Sequence, residues 1–129
     1  IGYRWLGFLP KKTDFADDQL SRIEAVEDDY VADPLNLKKF YFSLAGNMFV
    51  GGVRFLNRNI SQYTSPVLFL HGESDKIVPL EFSQRLYEIV PSKDKKLMTY
   101  PDAYHEIFND LDREKAFKDV IEWLNEHTK

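Results

Sequence analysis

The chain has 129 residues, of which 43% are hydrophobic and 29% are charged, a composition that suits a small globular unit and excludes a disordered or fibrous protein. Its formal net charge of -4 comes from 17 basic and 21 acidic residues, and the basic residues are scattered, which argues against nucleic acid as a partner. The absence of cysteine excludes disulfides, thiolate metal sites and a cysteine nucleophile, and we expect a cytoplasmic location.

The sequence carries no recognisable membrane or targeting segment. No window contains the roughly 18 consecutive apolar residues that a membrane-spanning helix needs. The N-terminus lacks the charged start and apolar run of a signal peptide. Because it begins with Ile1 rather than Met, we expect that the chain has been shortened at this end.

The first part of the chain has a helical pattern with acidic patches. Asp14 or Asp17 is a candidate cap for a helix through residues 24–28. Asp33 followed by Pro34 is typical of a helix start, with a capping residue and a proline in the first turn. These signals predict two helical segments before residue 60.

After Asp33 and Pro34, apolar residues recur at the spacing of one helical face. They are Leu35, Leu37, Phe40, Tyr41, Leu44, Phe49, Val53 and Leu56. Glycines 46, 51 and 52 interrupt the pattern and indicate a break between two helices or a close helix contact. We therefore expect helices and no sheet in residues 1–60.

The second part of the chain begins with a clear strand signal at residues 66–70 (PVLFL). This continuous apolar run is typical of a strand buried on both faces. Pro79 is expected to open a helix that Pro91 ends, because apolar residues between them recur at helical spacing. The apolar positions are Phe82, Leu86, Ile89 and Val90.

A second strand and a last helix complete the pattern. Residues 96–100 alternate as a strand does, and Asp112 is the expected cap of the final helix. One apolar stripe of that helix consists of Ala116, Phe117, Val120, Ile121 and Leu124. Strand, helix, strand, helix at these lengths predicts a βαβα unit with two parallel strands.

Two titratable residues follow the ends of these strands. Asp75 lies five residues after Leu70, and His105 lies five residues after Tyr100. Because catalytic groups of parallel sheets collect beyond the carboxyl ends of the strands, we expect the two loops to be neighbours. A carboxylate that accepts a hydrogen bond from an imidazole prepares that imidazole to take a proton from a serine. Taken singly, Asp75 is also compatible with a turn and His105 with a surface position.

Residues 71–79 (HGESDKIVP) and 100–106 (YPDAYHE) resemble the acid and histidine loops of α/β-hydrolases, and within that fold the monoacylglycerol lipase and lysophospholipase branch. Residues 29–35 (DYVADPL) are similar to part of the helical cap that lies over the active site in that branch. The resemblance implies the C-terminal part of an α/β-hydrolase fold. A helical cap at residues 1–62 would be followed by the βαβα part of the core at residues 63–129.

The same resemblance implies roles for the two residues. Asp75 would be the acid of a Ser-His-Asp triad, and His105 the general base that later acts as general acid. The implied reaction is hydrolysis of a small lipid ester, a monoacylglycerol or a lysophospholipid, through an acyl-serine intermediate and without a cofactor or metal.

The chain departs from the family pattern in one essential respect. A nucleophile elbow needs two glycines four positions apart around a serine, and glycines 2, 7, 46, 51, 52 and 72 include no such pair. We therefore expect the serine upstream, in an N-terminal half, and expect the 129-residue chain alone to be inactive. Without the N-terminal half, the strand at residues 66–70 would have an open edge. We expect that half, or a second copy of the chain, to cover this edge.

Three further interpretations remain open from the sequence. The aromatic residues Phe40, Tyr41, Phe42, Phe49 and Phe55 suit a core, an acyl-binding wall or a lid that touches a membrane surface. The chain could also be a non-catalytic module that binds a lipid or a partner. Finally, other α/β-hydrolase reactions, such as peptide hydrolysis, use the same acid and histidine loops.

Overall fold

The structure, a computed structural model, describes residues 7–12, 19–37 and 39–128. Its strands are β1 (Pro10–Lys12), β2 (Lys39–Tyr41), β3 (Val67–Gly72) and β4 (Lys95–Tyr100). Its α-helices are α1 (Glu24–Ala32), α2 (Phe42–Gly46), α3 (Val53–Asn59), α4 (Leu80–Ile89) and α5 (Arg113–His127). A π-helical turn, Asn47–Gly52, joins α2 to α3, and 3₁₀ turns lie at Ile60–Gln62 and Ile107–Asn109.

Strands β3 and β4 pair in parallel, and α4 connects them, as the sequence predicts. In the register of the pair, Leu70 lies opposite Met98 and Gly72 opposite Tyr100. Strand β3 is longer than the predicted run, because it continues through His71 to Gly72. The end of the strand therefore carries a histidine and a glycine directly into the loop that contains Asp75.

The core of the described residues lies beside the end of β4. Tyr100, Ala103, Ile107 and Ala116 are buried together, with Leu70 packed against them. The hydroxyl of Tyr100 donates a hydrogen bond of 2.9 Å to Asp119, whose carboxylate also accepts from Lys115. Burial, followed by this hydrogen bond, raises the pKa of Tyr100. The loop after β4 and the start of α5 are thus packed onto the sheet.

The expectation of no sheet in residues 1–60 was wrong. Strands β1 and β2 form an antiparallel pair in which Pro10 lies opposite Tyr41 and Lys12 opposite Lys39. The helical spacing of Phe40 and Tyr41 was therefore misread. A three-residue strand is too short for its period to show in the sequence, and aromatic residues also favour strands.

The predicted helix start at Asp33 was also wrong. Helix α1 ends at Ala32, and Asp33 follows it, with its backbone N–H donating to the carbonyl of Asp29. The carboxylate of Asp33 accepts from the backbone N–H of Leu35 at 2.8 Å, which makes a turn. Proline also occurs just after helix ends, so the pair at 33 and 34 marks an end here.

The predicted cap positions differ from the structure as well. Helix α1 begins after Ile23 without a side-chain cap, while Asp14 and Asp17 lie outside the described residues. Asp112 does precede α5, but its carboxylate makes no capping bond. It accepts a hydrogen bond of 2.6 Å from Arg22 instead.

The glycines at 46, 51 and 52 widen a helix without breaking it. Gly46 ends α2, and the other two lie in the π-helical turn that continues into α3. The backbone angles of Gly46 and Gly52 are both right-handed helical. The chain thus passes from Phe42 to Asn59 as one helical segment with a π turn in its middle.

Candidate active site

The loops that follow β3 and β4 lie side by side. We call residues 73–78 the acid loop and residues 101–112 the histidine loop. The Nδ1 atom of His105 lies 2.8 Å from the Oδ2 atom of Asp75, although the two residues are 30 positions apart in the sequence. The two predicted site residues are therefore in direct hydrogen-bond contact.

The acid loop holds the carboxylate of Asp75 in a fixed orientation. Oδ1 accepts the backbone N–H groups of Ile77 at 2.8 Å and Val78 at 2.9 Å, while Oδ2 faces His105. The side chain is only 3% exposed. Each carboxylate oxygen thus has its own partners, and rotation of the carboxylate would break all of them.

This contact determines which nitrogen of His105 carries the proton. An ionised carboxylate can only accept hydrogen bonds, so Nδ1 of His105 must be the donor to Asp75. In the neutral ring, Nε2 is then left with a lone pair that can accept a proton. The side chain of His105 is 38% exposed, so the described residues do not cover the ring.

Backbone contacts bring the two loops together. The N–H of Glu73 donates to the carbonyl of Tyr100, and the N–H of Ser74 donates to the carbonyl of Ala103, both at 3.0 Å. Such a close approach requires a residue without a side chain at the end of β3. Gly72 meets this need, because a Cβ atom at this position would overlap backbone atoms of the histidine loop.

His71 is a residue of the candidate site to which the sequence assigned no role. Its Nε2 lies 2.8 Å from the carbonyl oxygen of Val78, and its Nδ1 lies 2.7 Å from the hydroxyl of Ser83. Because a carbonyl only accepts, Nε2 carries the hydrogen, and Nδ1 accepts from Ser83. The buried imidazole therefore ties the far end of the acid loop to the strand end and to α4. Its position in a His-Gly pair directly before the acid loop was the available signal.

A residue near the start of the histidine loop has a left-handed backbone conformation. Asp102 has a φ of 61° and is the described non-glycine residue with a positive φ. Aspartate tolerates this region better than most residues, because its short polar side chain can bond locally. The turn that Asp102 makes lets the N–H of Ala103 return to the carbonyl of Tyr100 at 3.2 Å.

Serine and metal partners for the pair of Asp75 and His105 are not found among the described residues. No described serine hydroxyl is hydrogen-bonded to His105. The described residues contain no cluster of three potential metal ligands. None of the described helices combines the length and the apolar character that crossing a bilayer requires.

Comparison with known proteins gives a consistent family assignment. Residues 4–112 match the family described as serine aminopeptidase, S33. The monoacylglycerol lipase of Mycolicibacterium smegmatis is 30% identical over 110 residues, which covers 85% of this chain and 39% of that protein.

Solved structures show the same relationship in three dimensions. The crystal structure of Paleococcus ferrophilus monoacylglycerol lipase superposes with a TM-score of 0.88 at 32% identity, covering 97% of this chain and 50% of that one. A soluble variant of Saccharomyces cerevisiae monoglyceride lipase, solved with a substrate analogue, gives a TM-score of 0.88 at 25% identity, covering 98% and 44%. The chain spans half or less of the length of each of these relatives.

Proposed function

Because the chain belongs to the serine aminopeptidase S33 family and has an α/β-hydrolase fold, we propose that it supplies the acid and the base of a serine hydrolase that cleaves carboxylic esters. The hydrogen bond between His105 Nδ1 and Asp75 Oδ2 carries the proposal. It gives His105 the tautomer that a general base needs, on a side chain that is partly exposed.

The reaction follows from this arrangement. Nε2 of His105 takes the proton of a serine hydroxyl as the serine oxygen attacks the ester carbonyl, and Asp75 stabilises the imidazolium that forms. The imidazolium then gives the proton to the departing alcohol, which leaves an acyl-serine. Water hydrolyses the acyl-serine by the same steps, with His105 again acting first as base and then as acid.

The serine comes, in this proposal, from a segment upstream of the 129 residues. The sequence contains no glycine pair with the spacing of a nucleophile elbow, and the relatives are at least twice as long as the matched region. The chain alone would then lack the nucleophile and be inactive.

The substrate class that we propose is a small lipid ester, a monoacylglycerol or a lysophospholipid. Several relatives are named monoacylglycerol or monoglyceride lipases. The aromatic side chains proposed as an acyl-binding wall are available for such a role, since Tyr41, Phe42, Phe49 and Phe55 are 40–70% exposed and do not form a core among the described residues. Cleavage of amino-terminal peptide bonds is the alternative, because the matched family is described as an aminopeptidase.

The upstream segment is also the partner that we propose for the exposed apolar surface. Within the described residues β3 pairs with β4 alone, so its other edge has unpaired backbone groups. Large apolar side chains on the neighbouring helices are 51–60% exposed, namely Phe82, Phe117, Ile121 and Leu124. Covering both surfaces with further strands and helices would complete a parallel sheet.

The test is ester hydrolysis by the chain extended upstream through a Gly-x-Ser-x-Gly elbow. We expect it to hydrolyse a monoacylglycerol faster than an aminoacyl amide. His105→Ala and Asp75→Asn should each lower kcat/KM for the ester by roughly 10⁴-fold. His127→Gln and Asp94→Asn are matched controls, because His127 and Asp94 form a second pair at 2.8 Å outside the two loops. Faster cleavage of the amide, or full ester activity in the His105→Ala variant, would overturn the proposal.

A further inference from the structure

A segment far away in the sequence contacts the histidine loop. We call residues 19–23 the clamp segment. The carbonyl of Leu20 accepts the backbone N–H of Glu106 at 2.8 Å, and the hydroxyl of Ser21 donates to the carbonyl of Asn109 at 2.9 Å. Leu20 and Ser21 are both buried. The clamp segment is therefore packed against the loop that carries His105.

The centre of this contact is the carboxylate of Asp110, which is fully buried. Its Oδ2 accepts the backbone N–H of Tyr104 at 2.9 Å. Its Oδ1 accepts from Leu111 N at 2.6 Å and from Nε and N of Arg22 at 2.9 and 3.3 Å. A buried carboxylate is costly unless it is paired and hydrogen-bonded, and here both conditions are met.

The charge state of Asp110 agrees with this geometry. Burial by itself raises the pKa of a carboxyl group. The hydrogen bonds donated by Tyr104, Leu111 and Arg22 outweigh that effect and hold the pKa of Asp110 below its ordinary value. The carboxylate stays ionised at neutral pH and continues to accept from all its donors.

Together these contacts fix both peptide neighbours of His105. Tyr104, before it, donates its N–H to Asp110, and Glu106, after it, donates its N–H to Leu20. The arrangement also extends to α1, because the carboxylate of Glu27 accepts the backbone N–H groups of Gln19 and Leu20 at 2.7 and 2.9 Å. A displacement of α1 would therefore be transmitted to the backbone on either side of His105.

We propose that Arg22 and Asp110 are positioning residues that hold the histidine loop so that Nδ1 of His105 faces Asp75. The inference rests on the proposed function, since it assigns a purpose to that orientation. The orientation then depends on two residues 88 positions apart, which join the clamp segment to the loop that carries His105.

The test is ¹⁵N NMR of the histidine rings in the 129-residue chain, which reports the tautomer of His105 and the exchange of its Nδ1 hydrogen with water. Arg22→Gln is the principal variant, because Arg22 is partly exposed and Asp110 is fully buried. Arg22→Lys keeps the charge. Asp112→Asn is the matched control, because Asp112 also binds Arg22 but makes none of the contacts beside His105.

We expect Arg22→Gln to raise the exchange rate of the His105 Nδ1 hydrogen about tenfold or more, as the loss of a hydrogen bond to a charged group implies. Arg22→Lys should restore most of the protection, and Asp112→Asn should resemble the unsubstituted chain. An unchanged His105 in Arg22→Gln would overturn the inference. Loss of the His127 ring signals in that variant would overturn it too, because Arg22 would then support the whole fold.

The Asp75→Asn variant separates this test from that of the proposed function. If Asp75→Asn leaves the His105 ring unchanged, the pairing of Asp75 with His105 is wrong, and the proposed function fails. If Asp75→Asn alters the ring and Arg22→Gln does not, the proposed function stands and the positioning role fails.

Discussion

Gly72 lies directly against the backbone of Ala103. A Cβ atom on Gly72 would overlap the carbonyl oxygens of Ala103 and Tyr104. The same stretch of backbone accepts the hydrogen bond from Ser74 that joins the two loops. The contact between Asp75 and His105 thus depends on a glycine three residues before the acid, because a side chain there would force the loops apart.

We predict that Gly72→Ala lowers the free energy of unfolding by about 3 kcal/mol, the upper range for inserting a methyl group into a packed site. The atoms that the new methyl group would overlap belong to the backbone, which cannot move aside as the end of a flexible side chain can. Urea unfolding measures the difference. Gly51→Ala is the control, since the nearest atom to its added Cβ would be 3.8 Å away, and it should be neutral or stabilising. Equal effects of the two substitutions would contradict the prediction.

A second prediction concerns His71. His71→Leu removes the hydrogen bonds of the buried imidazole to Val78 and Ser83, so we expect a loss of about 2 kcal/mol in unfolding free energy. Ser83→Ala removes one of the two bonds and should cost about half as much. Amide hydrogen exchange should accelerate at Ile77 and Val78 in His71→Leu and not in β4. Unchanged exchange in the acid loop would show that His71 does not hold it.

The histidine at the end of α5 gives a prediction of pH dependence. The hydrogen bond to the carbonyl of Trp123, followed by the pair with Asp94, raises the pKa of His127 above its ordinary value of 6.5. A group whose pKa is raised in the folded state adds stability below the unfolded pKa, and that stability disappears as the pH rises through the folded pKa. His127→Gln should therefore destabilise the chain below pH 6.5 and approach the unsubstituted chain at higher pH. A difference that stays constant between about pH 5 and 9 would rule this out.

The open edge of β3 predicts the association state of the 129 residues. We expect the isolated chain to self-associate, since an unpaired strand edge and exposed apolar side chains on α4 and α5 favour pairing with a second copy. Size-exclusion chromatography with light scattering measures this. Addition of the upstream segment should replace self-association by a one-to-one complex. A monomer that persists at micromolar concentration and ignores the upstream segment would contradict the prediction.

The elements that the sequence predicted correctly are those with a long local pattern. The apolar run in β3 and the helical spacing in α4 and α5 each extend over five residues or more, so the period is visible. Strands β1 and β2 have three residues each, and their register pairs residues such as Pro10 and Tyr41 that lie far apart in the sequence. No local pattern predicts that pairing, because tertiary contact alone sets it.

The residues of the candidate site also fall into two groups, those with a local sequence signal and those without one. Asp75 and His105 could be predicted as site candidates, because each follows a strand at a similar distance and lies within a motif that resembles the family's. The contact between Arg22 and Asp110 could not be predicted, because it depends on single side chains that meet across the fold. Arg22 and Asp110 are 88 residues apart, and no local pattern connects them.

Fluorophosphonate labelling tests most directly whether Asp75 and His105 serve a serine nucleophile. The 129-residue chain and the chain extended upstream through a serine elbow would both be treated, and the products read by intact mass. We predict that only the extended chain is labelled, and that His105→Ala abolishes its labelling while His127→Gln does not. Labelling of the 129-residue chain would mean that one of its own serines is activated. That result, or an extended chain that is not labelled at all, would contradict the assignment of Asp75 and His105 to a serine hydrolase triad.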